Sequence, residues 1–600
     1  MEQYIQDKIN FINDYKKATN AASGSKYDAN ANVATKNSCT MMGELHKKDN
    51  ILINRALMVN KITELFGQEL ADEYIRQLDN HEIYAHDETQ VGKPYCASIT
   101  MYPFLFNGLK GLGGDTKAPQ NIDSFCGSYI NLVFAVSAQL RGAVATPEFL
   151  MYMDYFLRKA YGDDYYQTPA KQVAWTIDNK HTTIEEKVHD YFQQVVYSVN
   201  QPAAARDYQS IFLNWSIFDK YYFESIFGGF RFPDGTEPIW ESLDWLQRSF
   251  MNCFNEERTR SLLTFPVMTA ALLTENNQPK DAAYGEFVAE QLAKGNSFFI
   301  YESPHADSLA SCCRLRNEIS ENTFSYSLGA GGVSTGSVNV ITMNINRLVQ
   351  QKQDIYECAK KITKYQYAFR EIIQEFIDAG LLQIYDSGFI ALKKQFSTTG
   401  INGVVEAAES QGITINYNPQ YVEFCDRILS DITRANKEAA AEYGFMFNIE
   451  MVPAENLGVK NANWDKKDGL QVNRDCYNSY FYIVEEDLDP IEKFALQGAE
   501  FIDKCGGGSA YHCNLAEHLD KEQYLQLLNV AARLGCNYWT INVRNTICND
   551  CGHIDKHTMN HCPVCGSENI DYATRVIGYL KRVSSFSEQR QKEELNRYYA

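Results

Sequence analysis

Two Cys-x-x-Cys knuckles near the carboxyl end, Cys548/Cys551 and Cys562/Cys565, constrain this chain more than any other feature of its 600 residues. Each tight turn aims two sulfurs at one point, and two such turns complete a tetrahedral all-sulfur shell, for which zinc is the fitting ion. Gly552 and Gly566 directly follow the second cysteine of each knuckle, where a residue free to take positive φ lets the backbone fold back over the sulfurs. Between the knuckles, His553, His557 and His561 are alternative nitrogen ligands. A closed four-thiolate site has no open coordination position, so the ribbon is expected to be structural and the chemistry to lie elsewhere.

Free-standing ribbons often bind nucleic acid, and a zinc-ribbon nucleic-acid-binding protein is the alternative of a different class. Charge argues against nucleic acid as a partner: acidic residues outnumber basic ones 76 to 56, a net charge of −20, whereas a phosphate backbone needs a concentrated basic surface. A focused positive pocket for a small polyanion is compatible with global acidity. Six hundred residues, 45% of them hydrophobic, exceed one simple core and imply an elaborate barrel with insertions, or two to three domains. The longest apolar runs, near Ile130 to Leu140 and Leu262 to Leu273, are too short to cross a bilayer, so no membrane partner is expected. The first residues carry acidic groups and no apolar signal segment, and cysteine usage reads as a reducing cytoplasm.

Helical and strand-like patterns mingle, which favours an α/β fold. Apolar residues from Ile355 to Phe376 share one face of a helix running from about Asp354 to Ala379, with Gly380 as its stop. Ser337 to Ile345 and Tyr538 to Val543 read as strands, as does Phe298 to Tyr301. Three glycine-rich stretches, Gly108 to Asp115, Leu328 to Gly336 and Gly506 to Gly508, lack the phosphate-loop and dinucleotide patterns and read as loops.

Just beyond the second knuckle, Thr574 to Val583 is apolar at Val576, Ile577, Tyr579 and Leu580, a setting in which Gly578 would ordinarily weaken packing and mark a bulge. The run Arg575-Val576-Ile577-Gly578-Tyr579 resembles the glycyl-radical loop of the glycyl radical enzymes. With the four-cysteine ribbon just upstream, the chain resembles the anaerobic (class III) ribonucleoside-triphosphate reductases. An α-carbon radical at glycine is delocalised over the flanking amide and carbonyl, with no side chain to crowd the planar geometry; oxygen destroys it. Another glycyl radical enzyme, a lyase or a dehydratase, is the alternative within this chemistry, but those lack the ribbon.

The resemblance implies a ten-stranded α/β barrel made of two five-stranded halves, with both radical loops meeting inside. It divides the chain into a catalytic barrel with its thiyl loop over 1–540, the zinc ribbon over 541–572, and the radical loop and tail over 573–600. It implies installation of the Gly578 radical by a separate radical-SAM, iron-sulfur activating enzyme, since no Cys-x3-Cys-x2-Cys cluster occurs here. The family's thiyl cysteine precedes an arginine, which maps onto Cys313 before Arg314; read alone, Cys312 and Cys313 are two small buried hydrophobes. A second family cysteine, on an N-terminal strand facing the opposite side of the substrate ribose, maps onto Cys96. His81, His86 and Asp87 lead into that strand with roles left open. Asp28 to Val33 and Pro453 to Lys460 extend the likeness over nearly the whole chain.

Formate-using members carry an asparagine where this chain has Ser337, and a methionine in the segment occupied here by Ser311 and Cys312. A dithiol donor such as a small redoxin fits better, with Cys96 or another active-site cysteine such as Cys312 closing the turnover disulfide. The chain reaches Asn30 to Val33 too soon for an amino-terminal ATP-cone. The resemblance still implies nucleotide effectors at a specificity site near the interface of a homodimer, with a coupling of about 1–3 kcal/mol.

Overall fold

Helices and strands alternate through the computed structural model, which describes residues 2–25, 27, 32–33, 35–174, 181–306, 308–310, 316–318, 334–453 and 456–600. The barrel strands in chain order are β1 (Cys96–Ser98), β2 (Val144–Ala145), β3 (Leu213–Phe218), β4 (Val267–Glu275), β5 (Phe299–Ser303), β6 (Thr335–Asn344), β7 (Gln395–Asn402), β8 (Met446–Met451), β9 (Tyr511–Asn514) and β10 (Tyr538–Asn542). β1 to β5 lie side by side, all parallel. β6, β7 and β8 form a second parallel set, and β9 pairs in parallel with β10.

The two parts of the second half join at a short seam. Glu450 bridges Gly508 in parallel sense, the Gly507 amide donates to the Ile449 carbonyl at 2.8 Å, and the Met451 amide donates to the Gly508 carbonyl at 3.1 Å. The halves meet antiparallel where β6 pairs with β1 and where β5 pairs with β10. The result is a closed ten-stranded α/β barrel of two five-stranded halves, as the resemblance implied. Gly506 to Gly508 is therefore part of the barrel's seam and more than a loop. A Cβ on Gly507 would sit 2.8 Å from the Ile449 carbonyl, so only glycine lets the two backbones come this close.

Parallel neighbours need a crossover, and helices supply it on the outside of the barrel. The helix expected from Asp354 spans Ile355–Asp378, capped by the Asp354 carboxylate, which accepts from the Glu357 amide at 3.0 Å. Gly380 ends it with φ 71°. This helix packs on β6 and β7, and the helix Pro419–Tyr443 packs on β8. With helices outside and the site within, strand residues are buried on both faces; Val267 to Leu273 of β4 are all buried. Among the described residues no helix is long and apolar enough to cross a membrane.

A separate four-stranded sheet follows β10, ordered Ile554–Asp555, Asn545–Cys548, Ile570–Thr574 and Lys581–Arg582. Its last two strands pair Ala573 with Arg582 and Thr574 with Lys581. Residues 575–580 are thus the loop of a hairpin whose stem belongs to the cysteine-bearing sheet.

The β6–β1 junction is equally tight. Gly336 lies opposite Ala97, and a Cβ there would fall 2.2 Å from the Cys96 carbonyl oxygen. Gly336→Ala is expected to destabilise the barrel by about 1–3 kcal/mol, the usual penalty of overpacking. Thermal or denaturant unfolding checks this, and an unchanged midpoint would contradict the close approach.

Candidate active site and metal centre

The hairpin loop is buried throughout, from Arg575 to Leu580. Arg575, 1% exposed, lays its guanidinium 5.0 Å over the Phe299 ring of β5 and donates to the Ser297 hydroxyl. Burial pulls this guanidinium down to about 10. Asn542 of β10 donates to the Arg575 carbonyl at 2.9 Å. On the far side of the glycine, the Tyr579 ring meets Phe212 edge-on at 5.2 Å. Gly578 is therefore suspended between two anchored side chains.

Gly578 faces a cavity of about 200 Å³ that is also lined by Cys96, His86, Asp87 and Glu450. Four of the residues singled out in the sequence, Gly578, Cys96, His86 and Asp87, thus share one space. The Ala143 amide donates to the Cys96 sulfur at 3.2 Å, and a Cβ on Gly142 would lie 2.5 Å from that sulfur. His86 Nε2 and the Thr342 hydroxyl of β6 share a 2.7 Å hydrogen bond, and the His86 carbonyl accepts from Arg141 at 3.1 Å. Asp87, in the left-handed region with φ 51°, faces two cations, the half-buried Arg141 and the buried Arg206. Burial brings Arg141 down to about 10 against the opposing pull of Asp87.

His81 does not line this cavity. It stacks flat on Trp464 with ring centroids 3.9 Å apart, and burial, followed by Arg347, lowers its pKa. Cys312 and Cys313 lie outside the described residues, as do Asp28 to Ala31, Ala454 and Glu455. From the two segments that extend the resemblance, Asn32, Pro453, Asn456 and Leu457 line the cavity, the last at the start of the helix Leu457–Lys467.

Several lining residues carry no sequence signal. Lys47, Lys93, Arg141 and Arg206 are scattered over an α-helix, two loops and a short 3-10 helix, and only folding collects these four cations on one cavity. Burial and the neighbouring Arg206 lower the Lys93 pKa. Gly142, which keeps space for the Cys96 sulfur, is likewise an ordinary loop glycine by sequence.

The ribbon gathers its four cysteines as the spacing predicts. All four sulfurs lie within 4.8 Å of one another, with Cys548 and Cys565 at 3.6 Å and Cys551 and Cys562 at 3.6 Å. A tetrahedral ion with zinc–sulfur bonds needs sulfur separations of about 3.8 Å, so the donor set fits. Gly552 and Gly566 take φ 77° and 73° behind the knuckles. His553 and His557 turn to Asp555, at 3.8 and 2.9 Å, so thiolates form the donor cluster found among the described residues.

Comparison with known proteins adds to this geometry. The family described as anaerobic ribonucleoside-triphosphate reductase matches residues 44–599. No curated protein matches the chain. A solved anaerobic ribonucleotide reductase is similar at 29% identity and TM-score 0.83, covering 94% of this chain and 90% of its own. The anaerobic ribonucleotide reductase of Thermotoga maritima in complex with dATP and CTP is similar at 29% identity and TM-score 0.81, covering 93% of this chain and 92% of its own. Hydroxyproline dehydratase from Clostridioides difficile shares the fold at TM-score 0.52 and 11% identity, over 88% of this chain and 82% of its own.

Elemental analysis of the purified protein is expected to find one tightly bound divalent ion per chain. Cys562→Ser should lose that ion and expose the 575–580 loop to protease; full retention by this variant would contradict a four-thiolate site.

Proposed function

The chain belongs to the anaerobic ribonucleoside-triphosphate reductase family, and on that premise we propose that it converts ribonucleoside triphosphates to 2′-deoxyribonucleoside triphosphates through a radical stored on Gly578. The observation that carries this reading is the shared cavity: the glycine of the motif and Cys96 line the same space. In the proposed cycle the Gly578 radical takes the thiol hydrogen of Cys313. The resulting thiyl removes the 3′-hydrogen of the ribose, and the 2′-hydroxyl leaves as water. A dithiol supplies the two reducing equivalents and ends as a disulfide, with Cys96 acting on the opposite face of the sugar. Cys313 then returns hydrogen to the 3′-carbon and regenerates its thiyl, which recovers hydrogen from Gly578.

The cations on the cavity favour a polyanionic substrate. Lys93 and Arg141, with the amino-terminal end of the helix Leu457–Lys467, supply donors and positive potential for a triphosphate, while Lys47 is paired with Glu44. The zinc ion of the ribbon has no step in the chemistry: it holds the sheet from which the radical loop projects. The complex of the Thermotoga maritima enzyme with dATP and CTP supports nucleotide substrates and effectors. A homodimer, a radical-SAM activating enzyme, a redoxin and a cytoplasmic setting complete the reading.

The dithiol reading gains support at Ser337. This residue is the cross-strand partner of Cys96, and its hydroxyl donates to the Asn339 carbonyl at 2.9 Å and bonds the Thr398 hydroxyl at 2.8 Å. Its side chain is occupied within the barrel wall and offers no carboxamide beside the cysteine. The lyase and dehydratase alternatives rest on fold likeness at low identity, and the nucleic-acid alternative conflicts with the acidic charge.

Oxygen-free activation is expected to give a glycine-centred doublet by electron paramagnetic resonance that Gly578→Ala abolishes. Cys313→Ala and Cys96→Ser should keep the doublet and lose product; normal turnover by either would remove that cysteine from the mechanism. Dithiols should drive turnover and formate should not, and formate oxidation with dithiols inert would reverse the assignment of the reductant.

A further inference from the structure

The radical loop is gripped from behind by a group that has no part in the proposed cycle. Arg597 follows the last helix, Glu588–Asn596, and is 5% exposed. Its Nη1 donates to the Arg575 carbonyl at 3.1 Å and its Nη2 to the Val576 carbonyl at 2.5 Å. Glu593 fixes the guanidinium from its other edge, accepting from Nε at 2.8 Å and from Nη2 at 2.5 Å, and Glu593 is itself paired with Arg590. Two consecutive peptide carbonyls just ahead of Gly578 are thus tied to one planar, charged fork.

Burying a guanidinium and a carboxylate is unfavourable unless both are well bonded, so this arrangement is a demanding way to satisfy two neutral carbonyls. What a fork supplies, and an amide or water does not, is a fixed orientation of two peptide planes relative to each other. The plane tied through the Val576 carbonyl ends at Ile577, one residue ahead of the glycine; glycine resists torsion least of all residues, so the direction of its Cα–H bond follows the course of the chain that this hold sets just before it. Hydrogen transfer between the glycine and a sulfur depends steeply on that direction and on distance.

We propose that Arg597 is a positioning residue for the radical, setting where the Gly578 Cα–H bond points within the cavity. The proposal rests on the reading of Gly578 as the radical site. Full-length Arg597→Met and Arg597→Lys test it, since Arg590 remains to pair with Glu593 in both. Metal content and thermal midpoint report on folding. Arg597→Met is expected to form the doublet with an altered hyperfine pattern and to lose at least about tenfold in kcat, with KM unchanged within about twofold. Arg597→Lys, which keeps one charged donor, should recover part of kcat.

Parental line shape and parental kcat in Arg597→Met would overturn the proposal. Loss in proportion to lost metal or lost fold, with no recovery by lysine, would also overturn it by making the role purely structural. If Arg597→Met does not fold, Asn542→Ser removes the other hold on the Arg575 carbonyl; it should alter line shape and kcat in the same direction, and parental behaviour would overturn the proposal. A spin-silent parent would instead overturn the underlying radical reading, an outcome distinct from a parent that gives the doublet and a variant that matches it.

Discussion

The pairing of Ala573 with Arg582 and of Thr574 with Lys581 is the constraint on which the rest of the site depends. A six-residue loop near a chain end has few contacts of its own and would ordinarily fray. Here its two ends are clamped into one antiparallel stem, and the stem is continuous with the sheet that carries Cys548 at the end of Asn545–Cys548. The four sulfurs are therefore placed to act at a distance: an ion held by them would brace the sheet that carries both ends of the loop. The barrel supplies the remaining boundary through Phe299, Asn542 and Phe212, which belong to β5, β10 and the approach to β3.

The electrostatics follow from the same enclosure. A chain with net charge −20 still brings four cations to one cavity, because each is carried there by a different segment. Asp87 sits among them beside Arg141 and Arg206, Asp207 and Glu450 line the same space, and Lys47 is paired with Glu44, so carboxylates offset much of that positive charge. Burial acts on these guanidinium groups as it does on Arg575, lowering each pKa while leaving it cationic near neutrality.

What the sequence discloses is what is local. The knuckles, the glycines behind them and the capped helix Ile355–Asp378 each depend on residues a few positions apart, and each is legible without a structure. The barrel is not: β1 has three residues and β2 has two, too short for any alternation to register. Its closure depends on Glu450 meeting Gly508, and that glycine run reads as an ordinary loop until its partner backbone is known. Cys96 and Gly578 are recognised by resemblance to a family, whereas Gly142 and the four cations have no such motif. Their importance arises only from proximity, which spacing along the chain does not encode.

The tail beyond the loop has a consequence for how damage would be sensed. Tyr598 donates to the Val484 carbonyl at 3.0 Å, Ala600 donates to the Asn514 carbonyl at 3.1 Å, and the Ala600 carbonyl accepts from Ala516 at 2.8 Å. Arg544 adds an ion pair to Glu594. A backbone scission at Gly578 would therefore leave the severed piece seated in its groove, held by the same bonds as before. Such a wound would be invisible to sizing of the native particle and apparent only once the chains are pulled apart by denaturant, so an inactivated molecule would persist with the outline of an intact one.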